Sequence, residues 1–272
     1  MTNHIIVSGG FDDLRSPHLR FLEEASKLGP VTVLLWPDER LRQSTGQPPK
    51  LPLAERRYLL EAMRYVDGVV ELDPGANPDE LPQSLDFLPS LWVDVESQAS
   101  TPRRAYCQRR RLEYHIMPVA QMQGFPEPTP APPVSGRKKI VVTGCYDWLH
   151  SGHVRFCEEV SAYGDLYVIV GHDANIRLLK GEGHPLLPQA ERRYVMGSIK
   201  YVKAALITSG HGWLDADPEI QRLKPDVYAV NEDGDKGGKR EYCAKLGIEY
   251  LVLKRIPAPG LERRSSTELR GF

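Results

Sequence analysis

The sequence predicts an α/β protein made of two tandem copies of one parallel sheet flanked by helices. Three observations carry that reading. Short β-branched apolar runs alternate with amphipathic stretches, the chain repeats itself, and a proline-rich break separates the halves. The strongest echo is LPLAERRYLLEAMRYV (Leu51 to Val66) against LPQAERRYVMGSIKYV (Leu187 to Val202), an offset of 136 residues. Upstream, GGFDDLRSPHLRFLEE (Gly9 to Glu24) meets GCYDWLHSGHVRFCEE (Gly144 to Glu159) at an offset of 135. Downstream, RRAYC (Arg103 to Cys107) meets KREYC (Lys239 to Cys243) at 136. Between the copies lies GFPEPTPAPPVSG, Gly124 to Gly136, whose five prolines fix φ and remove donors. The expected organisation is a first domain over 1–120, a proline-rich linker over 121–136 and a second domain over 137–272.

In the second copy, Lys139 to Thr143 (KIVVT) reads as a buried parallel strand that turns at Gly144 into an amphipathic helix from Gly152 to Ala162. Leu166 to Val170 is the next strand, Gln189 to Val202 a helix and Ala204 to Thr208 a strand. A helix over Pro218 to Leu223, a strand over Val227 to Val230, a helix over Lys239 to Leu246 and a strand over Tyr250 to Leu253 complete the alternation. Ligands on such sheets sit beyond the carboxyl ends of the strands, which directs attention to the turn after KIVVT.

Composition narrows the function classes. At 41% hydrophobic and 26% charged residues the chain is globular rather than disordered. A net charge of −1 offers no basic field for nucleic acid or an anionic membrane. No apolar run approaches the ~20 residues of a membrane span, and the N-terminus lacks a signal-peptide layout. Cys107, Cys145, Cys157 and Cys243 have no paired spacing that suggests disulfides or zinc. A cytoplasmic location is expected.

The turn after KIVVT reads GCYDWLHSGHVRF. His150 and His153, three apart at a helix entry, face one side, and Gly144 and Gly152 let backbone approach a ligand. Free amides at a helix start favour anions, and imidazolium donors beside them make a cradle for phosphate oxygens. A metal or a purely structural role for the two histidines is the alternative; no third His or Cys is spaced to complete a metal site.

GCYDWLHSGH resembles the G-x-[FY]-D-x-x-H-x-G-H signature of cytidylyltransferase-type nucleotidyltransferases, among them glycerol-3-phosphate and ethanolamine-phosphate cytidylyltransferases. The resemblance runs from about Lys139 to Arg270. Asp173 and Lys180 in HDANIRLLKG sit where the family has an aspartate and a phosphate-binding lysine. AERRYVMGSIKYV resembles the family's E-R-x-x-x-[VL]-x-x-x-[RK]-Y-V helix, which places Arg192 and Lys200 on the motif. RSSTELR resembles the closing I-S-S-T segment that holds the triphosphate. The family's Arg-Thr-x-Gly is stretched to KRIPAPGLERRSST, so Arg255 is its natural counterpart, with Arg263 and Arg264 as rivals. The usual Y-V-D becomes Tyr201-Val202-Lys203, and the family's Gly-Asp near the base is replaced by VNEDGDKGGKRE.

The resemblance implies two Rossmann-like nucleotidyltransferase (HUP-type) domains and transfer of CMP from CTP, with Mg²⁺, to a small phosphorylated alcohol or phosphonate, releasing pyrophosphate. An ATP-dependent adenylyltransferase acting on a sugar phosphate, as in ADP-heptose synthesis, is the alternative, and a nucleotide-binding regulator without turnover is another. Implied catalytic residues are His150 and His153 at the α- and β-phosphates, Lys180 at the α-phosphate and acceptor phosphate, and Arg255 at the β- and γ-phosphates. Gly144, Cys145, Tyr146 and Gly152 offer backbone to the nucleotide, and Ser265, Ser266 and Thr267 close over the triphosphate. Asp147 and Asp173 orient a histidine or hold Mg²⁺ through water. Arg192, Trp213, Asn231, Asp233 and Lys236 are candidates for acceptor binding; for Arg192 a helix-surface ion pair, and for Trp213 core packing, stand beside that role.

The first copy keeps His18 at the place of His153, but Arg15 replaces His150 and Pro17 replaces Gly152. PDERLRQSTGQPPK has no clear counterpart of Lys180, and no Ser-Ser-Thr segment precedes the linker. The expectation is a degenerate, non-catalytic first domain. Because single-domain members of the family are dimers, the resemblance also implies an intramolecular pseudo-dimer, with further homodimerisation open.

Overall fold

A computed structural model describes residues 3–127 and 136–269, the side chains of 267 and 268 excepted. The chain divides into two compact units, Met1–Gly124 and Phe125–Phe272. In the first unit, β1 (Ile5–Gly9), α1 (Ser16–Ser26), β2 (Val31–Leu35), α2 (Asp38–Thr45), α3 (Leu53–Glu61) and β3 (Gly68–Glu71) form one half. β4 (Leu91–Val95), α4 (Thr101–Arg110) and β5 (Glu113–Met117) form the other. All strands are parallel, in the order β3-β2-β1-β4-β5.

The second unit contains β6 (Lys139–Gly144), α5 (Ser151–Ser161), β7 (Asp165–Val170), α6 (Asp173–Lys180), α7 (Gln189–Gly197) and β8 (Val202–Ile207). α8 (Asp217–Leu223), β9 (Val227–Asn231), α9 (Lys239–Leu246), β10 (Glu249–Leu253) and α10 (Ser266–Leu269) follow. Its parallel sheet, β10-β9-β6-β7-β8, is the same order read from the other edge. Each unit is thus an α/β Rossmann-like sheet whose order reverses at the strand pair β1/β4 or β6/β9, where a crevice opens at the carboxyl ends.

The strands are apolar because helices cover both faces. Every residue of β1 and β2 is buried. On one face of the second sheet Val141, Ile169, Tyr228 and Val230 pack with Ile220 and Cys243 from α8 and α9. Ile6, Leu34, Trp92 and Cys107 do the same in the first. Among the described residues no helix is long and apolar enough to cross a membrane.

The structure departs from the sequence expectation in three places. α7 stops at Gly197 rather than reaching Val202, because Ile199 turns into the core and Val202 already pairs with Leu166 in the sheet. α6, over DANIRLLK, was not anticipated as a helix. The first unit also continues past residue 120. A 3₁₀ turn over Val119–Met122 belongs to it, held by Arg20, whose guanidinium donates to the Gln121 carbonyl at 3.1 Å. Residues 128–135 of the expected linker lie outside the described residues.

Candidate active site

A cleft of about 670 Å³ opens at the carboxyl ends of β6 and β9. The sequence-expected Gly144, Cys145, Tyr146, Asp147, His150, Gly152 and His153 line it, as do Lys180, Asn231, Asp233, Arg255, Ser265 and Ser266. Four segments far apart in the chain therefore meet in one place. Tyr146 has the left-handed φ of 54°, and its ring lies so close over Gly144 that a Cβ there would meet it at 2.8 Å. Glycine at 144 is what permits the tight turn.

His150 caps α5. Its Nδ1 accepts the Gly152 N–H at 3.1 Å, so the ring proton sits on Nε2. The ring is 1% exposed and stacks on His153 with centroids 3.9 Å apart and planes 24° from parallel. Burial pushes His150 far below the usual histidine value, reinforced by His153, Arg255 and Arg264. Burial, then Arg255, pushes His153 down to about 4. Both imidazoles are therefore neutral at pH 7. The expected imidazolium pair is corrected to a neutral one, in which His150 presents an Nε2–H donor rather than a full charge.

This has a consequence for stability. In the unfolded chain these rings take up protons near pH 6.5, whereas the folded site resists protonation of His153 down to about 4. The unfolded state then binds more protons between those values. Stability is full above 6.5 and falls as pH drops through the window. Melting temperature measured from pH 8 to 4.5 should fall less steeply for the His150→Asn/His153→Asn double variant than for the wild type. An unchanged slope would contradict the assignment. Part of the slope should persist, since burial also lowers His18.

Three cations line the cleft with the stack. Arg255 lies just beyond β10; its Nη1 donates to Asp233 Oδ2 at 2.5 Å and its Nη2 to the Arg264 carbonyl at 2.7 Å. Its rivals Arg263 and Arg264 line an adjoining narrow groove instead. Lys180 stands at the end of α6, beside Cys145. The third, Lys239 at the start of α9, was missed by sequence reasoning. Its Nζ donates to the Gly234 carbonyl at 2.8 Å, and burial lowers its pKa. In the sequence Lys239 stood out only as the start of the KREYC match to RRAYC, where it aligns with Arg103. His184, Thr143 and Phe156 were missed too; Thr143 shares a 2.6 Å hydrogen bond with the Tyr228 hydroxyl at the strand ends.

Several expected ligands are framework instead. Arg192 is fully buried and donates to the carbonyls of Leu187 (2.9 Å), Cys145 (2.6 Å) and Gly171 (2.7 Å) and to Asp173 Oδ1 (2.7 Å). It is buried away from solvent rather than on the helix surface, and its Nε, Nη1 and Nη2 all donate to framework acceptors that hold the loops after β6 and β7 together. Asp173 is consumed by the same pair and lies off the cleft. Asp147 reaches the cleft, but its carboxylate accepts the N–H groups of Leu186 (2.7 Å) and Leu187 (2.9 Å) and so pins that loop. Trp213 is 57% exposed and neither core nor cleft wall, its ring lying beside Gly238. Lys236 is exposed and outside the lining, and Lys200 lies against the Tyr201 ring. The Thr267 side chain lies outside the described residues.

The first unit repeats this framework. Fully buried Arg56 donates to the carbonyls of Leu51 (3.1 Å) and Gly10 (2.5 Å) and to Asp38 (2.6 Å). Asp12 accepts from the N–H groups of Lys50 (2.8 Å) and Leu51 (2.9 Å). Phe11 has the left-handed φ of 47°, as Tyr146 has 54°.

The model of the cytidylyltransferase-like family matches residues 141–271. An FAD synthase of Ferroglobus placidus is 38% identical over 135 residues, covering 48% of this chain and 85% of that protein. The chain belongs to the cytidylyltransferase-like family. A bifunctional protein HldE of Aliarcobacter butzleri is 33% identical over 122 residues, 44% of this chain but only 25% of that protein. A solved lipopolysaccharide core biosynthesis protein from Thermoplasma volcanium covers 45% of this chain and 99% of its own, at 23% identity and a TM-score of 0.38. The cytidylyltransferase-like unit is the one that holds the cleft with the stacked histidines, and nucleotidyltransferase activity follows from that membership.

Proposed function

We propose that the second unit transfers AMP from ATP to the phosphate of a small phosphate ester, releasing pyrophosphate. The observation that carries this is the meeting of two neutral histidines with Lys180, Lys239 and Arg255 in one cleft. An acceptor phosphate oxygen attacks the α-phosphorus and forms the new P–O bond. The bond from the α-phosphorus to the bridging oxygen breaks, and its electron pair leaves with pyrophosphate. No protein nucleophile and no net proton transfer are needed, so the work is alignment and charge stabilisation. His150 offers Nε2–H to an α-phosphate oxygen, and His153 supports it through the stack. Arg255, held at the cleft edge by Asp233, meets the β- and γ-phosphates; Lys180 and Lys239 draw the acceptor phosphate towards the α-phosphorus.

Among the described residues no group of three His, Cys, Asp or Glu is placed to hold a metal. Asp147, Asp173 and Asp233 are each engaged by N–H groups or arginines. The site therefore suits Mg²⁺ that arrives on the triphosphate, held by phosphate oxygens and water, where it would neutralise charge on the leaving group.

ATP replaces the CTP that the motif resemblance implied, because FAD synthase is an ATP-dependent adenylyltransferase and HldE acts in ADP-heptose synthesis. Both support the adenylyl reading, and neither supports CTP. The test is pyrophosphate release with ATP and CTP, each crossed with flavin mononucleotide, sugar phosphates, phosphoalcohols and phosphonates. ATP with one phosphate ester should turn over; turnover with CTP alone would restore the cytidylyl reading, and none with any pair would favour a binding protein.

The shared strand order, arginine clamp and left-handed aromatic support reading the units as duplicated copies, of which the first no longer catalyses. Arg15 stands for His150, Thr45 for Lys180 and Val119 for Arg255.

A further inference from the structure

The first unit retains a cavity of about 310 Å³ at the carboxyl ends of β1 and β4, the place equivalent to the cleft of the second. Its walls include Gly9, Phe11, His18, Phe21, Val95 and Met122. The turn beneath it is kept: a Cβ on Gly9 would meet the Phe11 ring at 3.1 Å, the arrangement of Gly144 and Tyr146. His18 accepts the Arg15 N–H on Nδ1 at 3.2 Å, so its donor is Nε2–H, as in His150. Burial lowers its pKa.

The cations are gone. No Lys, Arg, Asp or Glu lines this cavity. Arg15 is turned onto Asp13 at 2.9 Å. Arg103, at the place of Lys239, is buried against Asp94 at 2.6 Å, with its guanidinium 4.7 Å over the Trp92 ring. Val119, at the place of Arg255, is itself a wall. Desolvating a triphosphate without cations to repay the cost is prohibitive. A flat uncharged ring between Phe11, Phe21 and Met122 carries no such penalty. His18 Nε2–H, the Ser97 hydroxyl and the Gln98 amide supply the few polar contacts that orient a ligand in an otherwise apolar pocket.

We propose that the first unit is an accessory site for an uncharged nucleoside, its nucleotide cleft reduced to the base-and-sugar part. The choice of nucleoside rests on the nucleotide reading of the second unit. The site discriminates against phosphate, the reverse of the catalytic cleft.

The test is calorimetric titration of adenosine into the full chain with the catalytic cleft saturated by α,β-methylene-ATP. One equivalent of adenosine should still bind. Val95→Trp, which fills the cavity, should weaken that binding at least tenfold and leave pyrophosphate release unchanged. If the analogue itself does not bind, the catalytic reading fails, and comparing adenosine binding between wild type and Val95→Trp still reads the first unit alone. Should Val95→Trp not fold, His18→Phe removes the donor at similar bulk and should weaken adenosine binding. No adenosine binding, binding indifferent to both variants, or a triphosphate bound at this site as tightly as adenosine would overturn the proposal.

Discussion

His150→Ala should lower pyrophosphate release at least ~100-fold, the scale of one lost transition-state donor, while His18→Ala leaves it unchanged. The two histidines look alike in the sequence but stand in different surroundings. His150 presents Nε2–H into a cleft with three cations; His18 faces a cavity with none. His150 also caps α5, so alanine costs about 1 kcal/mol of stability as well. His150→Asn separates the effects, because its side-chain oxygen accepts the Gly152 N–H but offers no donor in the place of Nε2. Thermal unfolding should recover in the asparagine variant, and turnover should not. Equal kinetic losses at His18 and His150 would refute the assignment of catalysis to the second unit.

Arg192→Met should destabilise the second unit by about 3–5 kcal/mol, the cost of breaking a buried charged network. One guanidinium satisfies three carbonyls and the Asp173 carboxylate. Methionine fills much of the volume and satisfies none of them. Lysine should not rescue the loss, since one ammonium cannot span four acceptors on three segments. Arg56→Met should destabilise the first unit in the same way. The measurement is chemical unfolding of each variant against wild type. A variant that unfolds like wild type but loses acceptor affinity would return Arg192 to the substrate site.

Much of the fold was legible because parallel strands buried on both faces leave continuous apolar runs, as in KIVVT and VYAV. α6 was not read as a helix although DANIRLLK is amphipathic, with Ile176 turned inward, because its eight residues repeat that pattern over only about two turns. The C-terminal end of α7 was misjudged because RRYVMGSIKYV stays apolar at helical spacing, although Ile199 turns into the core and Val202 enters the sheet.

The cleft was legible at its motif residues, which the structure brings together, and less so at the side chains that support it. Asp147, Asp173 and Arg192 looked like ligands because charged residues in a motif suggest chemistry. The repeat held the contrary signal: Asp12, Asp38 and Arg56 keep the same three in a unit whose cavity no lysine or arginine lines. Side chains retained in both units hold the turn, whereas His150, Lys180, Arg255 and Ser265 occur only where the cleft is charged.

The sequence by itself determined the internal sequence echo, the alternation of strand and helix, and the turn at which the cleft opens, because these depend on local spacing and burial pattern. The tertiary structure alone decided which charges are buried in the framework and which line the cleft. A buried arginine and a cleft arginine have the same side chain; what separates Arg192 from Arg255 is the set of acceptors that folding brings from distant segments. The protonation of His150 and His153 was decided there too, since it is the surrounding burial, and not the His-x-Gly-His spacing, that keeps the pair neutral.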